Sequence, residues 1–437
     1  MNKLSKIKIF TVFLLMMSSA AHSQNSGQQL QFSLQAGESG AASESDSEGL
    51  SPGLSKITFS GLKRTHDWFL QEQLSSYIGK NPDKKTLSSI ESDLQALNLF
   101  SEIHMELSED SQSSGRELKI TLKEKISFIP LPFAMYSSSS GFMAGAFIMD
   151  MNAGGKKDMF VTGLMWAFDR QMLVGMYRNS PRIGTPGYLL SASLAKQKLG
   201  INDSDGNEFF KVENFYASAI AKILFKLDRF NSFGAGLGYS GFFPRDDESL
   251  YYDIYARNAG LASLDWSISE NNWNGTFLLE TAFAASASFL LDNKLRPVTN
   301  LALAARVQQP LVQKLRLNIE GGAAMVLNGL VIDGLRKSSA RVTIMNDKFV
   351  TEKIAGSSTG LEYAFLQTKK IGTFSIYGNY EFLFAEDVDQ SLLFCQGFNT
   401  GMKVYLKGLA FPALSMGLAY NATKNIFYFA GSFGVSF

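Results

Sequence analysis

From about residue 127 to the C-terminus, apolar and polar residues alternate in runs of roughly ten, separated by polar or glycine-rich turns. Leu315, Leu317 and Ile319 alternate with Arg316, Asn318 and Glu320. Phe374, Ile376, Tyr380 and Phe382 alternate with Ser375, Tyr377, Asn379 and Glu381. The chain ends the same way, with Phe427, Phe429, Phe433, Val435 and Phe437 on one parity and Tyr428, Ala430, Ser432, Gly434 and Ser436 on the other. A period of two sends the two sets to opposite faces of a strand. One face is uniformly apolar, the other polar or charged. Lipid outside and water inside suit such a sheet, which must close because hydrocarbon offers backbone groups no other partner. About fifteen such runs lie between Gly141 and Phe437, and the even strand numbers of single-chain bacterial barrels raise the expectation to sixteen. The extra strand is expected near Leu131–Ser137 or ahead of Gly356. A soluble sandwich or propeller fits less well, because about 310 residues pass without repeat motifs. After residue 30 no apolar stretch reaches the ~18 residues of a membrane-spanning helix.

Residues 54–126 have another rhythm. Ile57 and Phe59 share one face of a strand, and Thr65 is placed to cap a helix running through Trp68, Phe69 and Leu70 toward Tyr77. Leu87, Ile90, Leu94 and Leu97 recur at helical spacing over about Asp83–Leu97. Two alternating strands follow, one through Ile103, Met105 and Leu107, the other through Leu118, Ile120 and Leu122. The predicted order is β-α-α-β-β.

Residues 1–23 read as a signal peptide. Lys3, Lys6 and Lys8 precede the short apolar core Ile9–Met17, and Ala21 and Ser23 are small residues at the cleavage positions. Residues 24–53 are polar, acidic and small, a composition that predicts a disordered linker. The formal net charge of +1 gives no footprint for nucleic acid. Cys395 is the single cysteine, so an intramolecular disulfide is excluded. With three histidines in the whole chain and none after residue 126, neither a metal site nor a cofactor is expected.

The pattern Ile57-x-Phe59-x-Gly61, then Leu94-x-x-Leu97 with Leu99 and Phe100, then Leu118-x-Ile120-x-Leu122-x-Glu124, resembles a POTRA domain. Followed by a barrel over residues 127–437, it resembles the BamA/TamA superfamily of outer-membrane assembly proteins, also called the bacterial surface antigen family, over about residues 54–437. The terminal Phe433, Val435 and Phe437 look like that family's targeting signal, and Pro412 stands where its last hairpin turns. The chain departs from the family in the long loop that carries an Arg-Gly-Phe or Arg-Gly-Tyr motif. In Asn328–Gly356 the counterpart is Ala355-Gly356-Ser357, a degenerate motif. The resemblance implies a Gram-negative outer-membrane location with the N-terminal unit in the periplasm. It also implies a barrel seam that opens so that a client strand can pair with it. The seam strands are expected to be Gly141–Asn152, loosened by Gly141 and Gly145, and Ile426–Phe437, with Gly431 and Gly434. Partners follow from the same resemblance: outer-membrane lipids, unfolded outer-membrane protein clients, and periplasmic or lipoprotein partners docking on Glu102, Ile103, His104, Met105 and Glu106.

No residue set requires catalysis, and an enzyme is not expected. Gly356-Ser357-Ser358-Thr359-Gly360 matches G-x-S-x-G, but a strand rather than a helix follows and no histidine base is at hand. Asp203-Ser204-Asp205-Gly206 lacks the later calcium-loop positions and reads as a polar turn; Asp246, Asp247 and Glu248 read as a solvated loop tip. Three functions stay open: assembly of outer-membrane barrels, a secretion pore of the two-partner type, and a porin or structural surface antigen.

Overall fold

The computed structural model describes residues 53–97, 99–109, 115–228, 230–245, 254–274, 276–368, 372–387, 390–406 and 414–433. The expected leader, nearly all of the expected linker, the 246–248 loop tip, Pro412, Gly434, Val435 and Phe437 lie outside them.

The N-terminal unit comprises β1 (Leu54–Ser60), α1 (Asp67–Leu74), α2 (Lys84–Ala96), β2 (Phe100–Glu109) and β3 (Arg116–Glu124). The sheet order is β1-β3-β2, with β1 parallel and β2 antiparallel to β3. This is the βααββ order, POTRA-like in fold. Alternation on central β3 buries Leu118, Ile120 and Leu122 against Phe69, Leu70 and Leu74 of α1 and Ile90 and Leu94 of α2. Asp83 caps α2 by accepting from the Thr86 N–H at 2.7 Å. Thr65 does not cap α1. His66 holds that position without a side-chain bond, and the Thr65 hydroxyl instead accepts from Asn152 Nδ2 at 3.0 Å.

The remaining strands are β4 (Phe128–Ser137), β5 (Gly141–Ala153), β6 (Asp158–Ala167), β7 (Arg170–Asn179), β8 (Gly187–Asn202), β9 (Glu208–Lys226), β10 (Asn231–Pro244) and β11 (Arg257–Trp273). They continue with β12 (Leu278–Asp292), β13 (Pro297–Val312), β14 (Leu315–Leu327), β15 (Lys353–Thr368), β16 (Gly372–Glu386), β17 (Leu392–Leu406), β18 (Leu414–Asn421) and β19 (Ile426–Phe433). Each pairs antiparallel with its chain neighbour, and β19 returns to β4, closing a sixteen-stranded barrel. The faces divide as the alternation demands: Leu164, Leu237, Ile376 and Phe427 are exposed on the outside, while Asn318, Ser375 and Glu381 are buried on the bore side. The extra strand is β4, and it displaces the Gly141 strand from first place to second.

Only Lys125–Ser127 separate β3 from β4. The βααββ unit is nevertheless fastened to one barrel end. Arg64 bonds Asp150 at 2.7 Å and Ser127 at 2.6 Å, and the His66 N–H donates to Gly155 O at 2.9 Å in the β5–β6 turn. Arg182, in the β7–β8 turn, pairs with Glu72 and covers the Phe69 ring, 4.9 Å from its centroid. Because the strands alternate in direction, the β14–β15 connection belongs to the opposite end. Arg64→Ala is expected to speed amide hydrogen exchange at the Lys125–Ser127 junction and the β5–β6 turn about tenfold. Charge-assisted bonds contribute about 1.5–3 kcal/mol, and the half-exposed Arg64 falls at the low end of that range. Exchange in β12–β14 should not change.

Candidate functional site

Among the described residues, the β4–β19 seam is the shortest stretch of the wall. Its register runs from Ser137↔Ala430 to Ala134↔Phe433, whereas β4 pairs with β5 along its whole length, from Phe128↔Asp150 to Ser137↔Gly141. The backbone explains why. Ser138 N–H donates to Phe429 O at 2.9 Å, so the even-numbered N–H groups of β4 point toward β19. Two of those even positions are Pro130 and Pro132, which have no N–H to give. The half of β4 nearer the βααββ unit therefore presents an edge that lacks donors at two successive β19-facing positions. At the other end, the Ser138 hydroxyl accepts from the Phe429 N–H at 3.1 Å.

The β14–β15 connection, residues 328–352, folds into the bore from that other end. Ala340, Val342, Ile344, Met345 and Phe349 are buried against Ala324, Ile354, Leu383, Ala385, Cys395 and Ala419 of the wall. The fit leaves no room at Gly322, where a Cβ would lie 2.1 Å from Ser339 O. Three directional anchors hold the segment. Glu381 on β16 accepts from the Thr343 N–H at 2.6 Å and the Ile344 N–H at 3.2 Å, and also from the Thr343 and Ser358 hydroxyls. Asn421 Nδ2 donates to Ile344 O at 2.8 Å. Asn202 N–H donates to Lys348 O at 3.0 Å.

A fourth anchor reaches the seam. Asp347 Oδ2 accepts from the Ser137 and Ser139 hydroxyls at 2.5 Å and from Ser140 at 3.0 Å, all at the β4–β5 turn. Its Oδ1 lies 2.7 Å from Lys337 Nζ, which also sits 5.8 Å from the ring centroid of Tyr428 on β19. Arg336 donates to Asp347 O at 2.6 Å. One bore-lining carboxylate thus ties the first barrel strand to a cation that faces the last. Burial alone would raise the Asp347 pKa, but the Lys337 ammonium and the serine hydroxyls more than offset it and hold the carboxyl below the usual range.

Several expected site residues fall elsewhere. Gly141 opens β5 at the β4–β5 turn, and Gly145 lies mid-β5, one strand in from the seam. Gly145 accommodates the Phe133 ring rather than loosening an edge, since a Cβ there would be 2.5 Å from Phe133 Cε1. Gly431 is on the seam, opposite Tyr136, and Phe433 pairs with Ala134. Ala355, Gly356 and Ser357 are not in the loop at all: they are ladder residues of β15, paired with Ala323, Gly322 and Gly321 of β14. The inserted segment is held instead by the Thr343 and Ile344 amides and by Asp347. Ser358 gives its hydroxyl to Glu381, and Asp203 closes a tight turn whose Asp205 pairs with Lys424. Glu102, Ile103, His104, Met105 and Glu106 lie on β2, an outer strand of the three-stranded sheet, with Glu102 2.5 Å from Lys123 and Ile103 and Met105 turned toward the core. Pro130 and Pro132 were passed over in the sequence, although prolines spaced by two inside an alternating run are a signal of an edge strand.

A closed sixteen-stranded barrel, a βααββ unit fastened to one end and a segment inserted from the other define a class, and solved structures of that class are known. The fold is similar to that of BamA from Haemophilus ducreyi lacking POTRA domains 1–3, with a TM-score of 0.60 and 14% identity over 88% of this chain and 85% of that one. It is also similar to CdiB from Acinetobacter baumannii (TM-score 0.62, 12% identity, 88% of this chain and 74% of that one) and CdiB from Escherichia coli (0.56, 10%, 96% and 98%). No family profile matches the chain, and neither does any curated protein sequence. In fold, the chain is a sixteen-stranded barrel of the kind seen in BamA and CdiB.

Asp347→Asn is expected to loosen the seam. Amide exchange over residues 335–351 and at Ser138 and Phe429 should rise at least roughly tenfold, with the βααββ sheet unaffected. The sign with pH follows from the depressed pKa. The Asp347 contribution is complete above the unfolded value of ~3.9 and is lost only as pH falls through the lower folded value. Wild-type protection, corrected for intrinsic exchange chemistry, should therefore be level from about pH 7 to about pH 5.

Proposed function

We propose that the protein assembles other β-barrel proteins in the bacterial outer membrane, with its βααββ unit in the periplasm. The observation that carries this reading is the seam, where a ladder that is short among the described residues adjoins a stretch of β4 from which two prolines have removed donors. β4 so held lets go of its partner cheaply, and the proline-free β19 edge that this uncovers is the template to which an incoming client strand adds by β-augmentation. Clients are unfolded outer-membrane proteins, and β2 of the βααββ unit offers an outer strand on which periplasmic partners or clients dock. No catalytic group or cofactor is needed, because the client's own backbone bonds drive the exchange. The segment packed in the bore supports a lateral path over an axial one. A secretion pore or a porin would have to move residues 328–352 out of the way.

Met135 and Ser432 are register partners, and the alternation set by Ser138 makes them a non-hydrogen-bonded pair whose close Cα spacing suits a disulfide. Met135→Cys and Ser432→Cys, built on Cys395→Ser, should form a seam disulfide. Oxidised protein in liposomes is expected to lose insertion of a small client barrel, by at least roughly tenfold in rate, and reduction should restore it. Equal insertion in both redox states would rule out the seam as the working site.

A further inference from the structure

At the barrel end away from the βααββ unit the rim is stepped. β7 begins at Arg170, paired with Gln197, while β8 runs on to Asn202. A recess of about 730 Å³ lies at this step. On its outer side are Lys196 and Lys198 of β8, which share the outward parity of the exposed Tyr188, Leu190 and Leu194. Arg245 closes the recess from the end of β10. Two carboxylates, Asp169 and Glu213, line the recess, and Glu213 serves two of these cations, at 2.5 Å from Lys198 and 3.0 Å from Arg245. Lys196 has no carboxylate partner among the described residues, and its register neighbours are Gln171 and the exposed Phe215.

Directly against this basic rim lies an apolar furrow of about 640 Å³ on the outer wall. It is walled by Leu164, Trp166, Leu173 and Leu194, and it shares Gln171, Lys196 and Phe215 with the recess. Phe168, 84% exposed, stands above it with its ring 5.3 Å from that of Trp166. A lysine on a lipid-facing wall is costly unless it sits at headgroup level, and an aromatic belt marks that level. Excess cations above a greasy furrow complement one kind of molecule, an amphiphile with an anionic head and hydrocarbon tails.

We propose that the β6–β10 rim binds a phosphate-bearing lipid of the adjacent leaflet, its headgroup at Lys196, Lys198 and Arg245 and its acyl chains along Leu164, Leu173 and Leu194. The site rests on the reading of the barrel as a membrane protein, but not on assembly activity. It lies on the outer face, with its headgroup cations on β8 and β10, strands that do not border the seam.

Native mass spectrometry of the full chain, released from a neutral detergent, tests this with lipid A as the anionic probe and phosphatidylcholine as the zwitterionic one. Wild type is expected to retain lipid A in preference to phosphatidylcholine, and inorganic phosphate should not displace it. Lys196→Gln with Arg245→Gln should weaken retention about fivefold per cation removed. Glu213→Gln should strengthen it by freeing Lys198 and Arg245. Lys222→Gln, which alters a bore-facing cation paired with Asp265, should change nothing. Heat-modifiable electrophoretic mobility checks that every variant is a folded barrel. Equal retention by wild type and the double variant, equal binding of phosphatidylcholine, or displacement by free phosphate would each overturn the proposal. A barrel that inserts clients normally with this site abolished would still leave the assembly reading intact.

Discussion

The structure depends on one constraint: in hydrocarbon, a backbone donor without a partner costs about 1–3 kcal/mol or more, so a wall must either complete its ladder or have no donors to satisfy. Along most of the barrel the ladder is complete. At the β4–β19 seam the other solution operates. Proline at 130 and 132 removes two N–H groups rather than orphaning them, so the edge stays incomplete at a reduced penalty, with only carbonyls to satisfy at those positions. Where the ladder does close, a side chain completes it, the Ser138 hydroxyl standing in as acceptor for the Phe429 amide.

The bore reflects the same economy of polar groups. Among the described residues Glu381 has no ion-pair partner, and amide and hydroxyl donors from the inserted segment and the wall satisfy its buried carboxylate. Directional bonds to a fixed carboxylate specify where Thr343 and Ile344 lie, and apolar packing of Met345 and Phe349 then fills the space. Nearer the βααββ unit the carboxylate solution differs. Glu362 meets Arg316 at 2.8 Å, the Tyr405 hydroxyl at 2.8 Å and the Ser375 hydroxyl at 2.6 Å, and Arg316 in turn covers the Phe277 ring. One end of the bore is thus braced by an ion pair within the wall, the other by a segment that can in principle withdraw.

How much of this was legible in the sequence divides along a physical line. Period-two alternation is a local property, so the barrel, its lipid-facing set and the βααββ unit could be read directly. β4 was expected only as one of two candidates for the extra strand, near Leu131–Ser137, and the proline signal that places it on the edge was not used. Taking Gly141–Asn152 as the first strand moved the seam one strand too far and gave Gly145 a loosening role. Its real role, making room for the Phe133 ring, depends on a neighbouring strand. The Asp347 anchor joins residues about two hundred positions apart, and no spacing rule exposes a pair of that kind. Searching for an Arg-Gly motif failed because main-chain amides and an aspartate hold the segment here, and main-chain amides leave no mark in a sequence.

The two halves of the seam are unlike, and the difference sets a direction. Toward the βααββ unit β4 offers prolines, and among the described residues it has no partner on β19 from Phe128 to Phe133. Toward the opposite end, ladder pairs, the Ser138 bridge and the Asp347–Lys337 clamp accumulate. Separation that began at the clamped end would break all of these at once. Separation that begins at the proline end breaks ladder pairs one at a time and meets the clamp last. Unpairing should therefore proceed from the βααββ side, which on the assembly reading proposed above is the side on which a client arrives. Each bond lost can then be replaced by a client bond before the next one opens, and the inserted segment acts as the stop that keeps the far end closed until the exchange is well advanced.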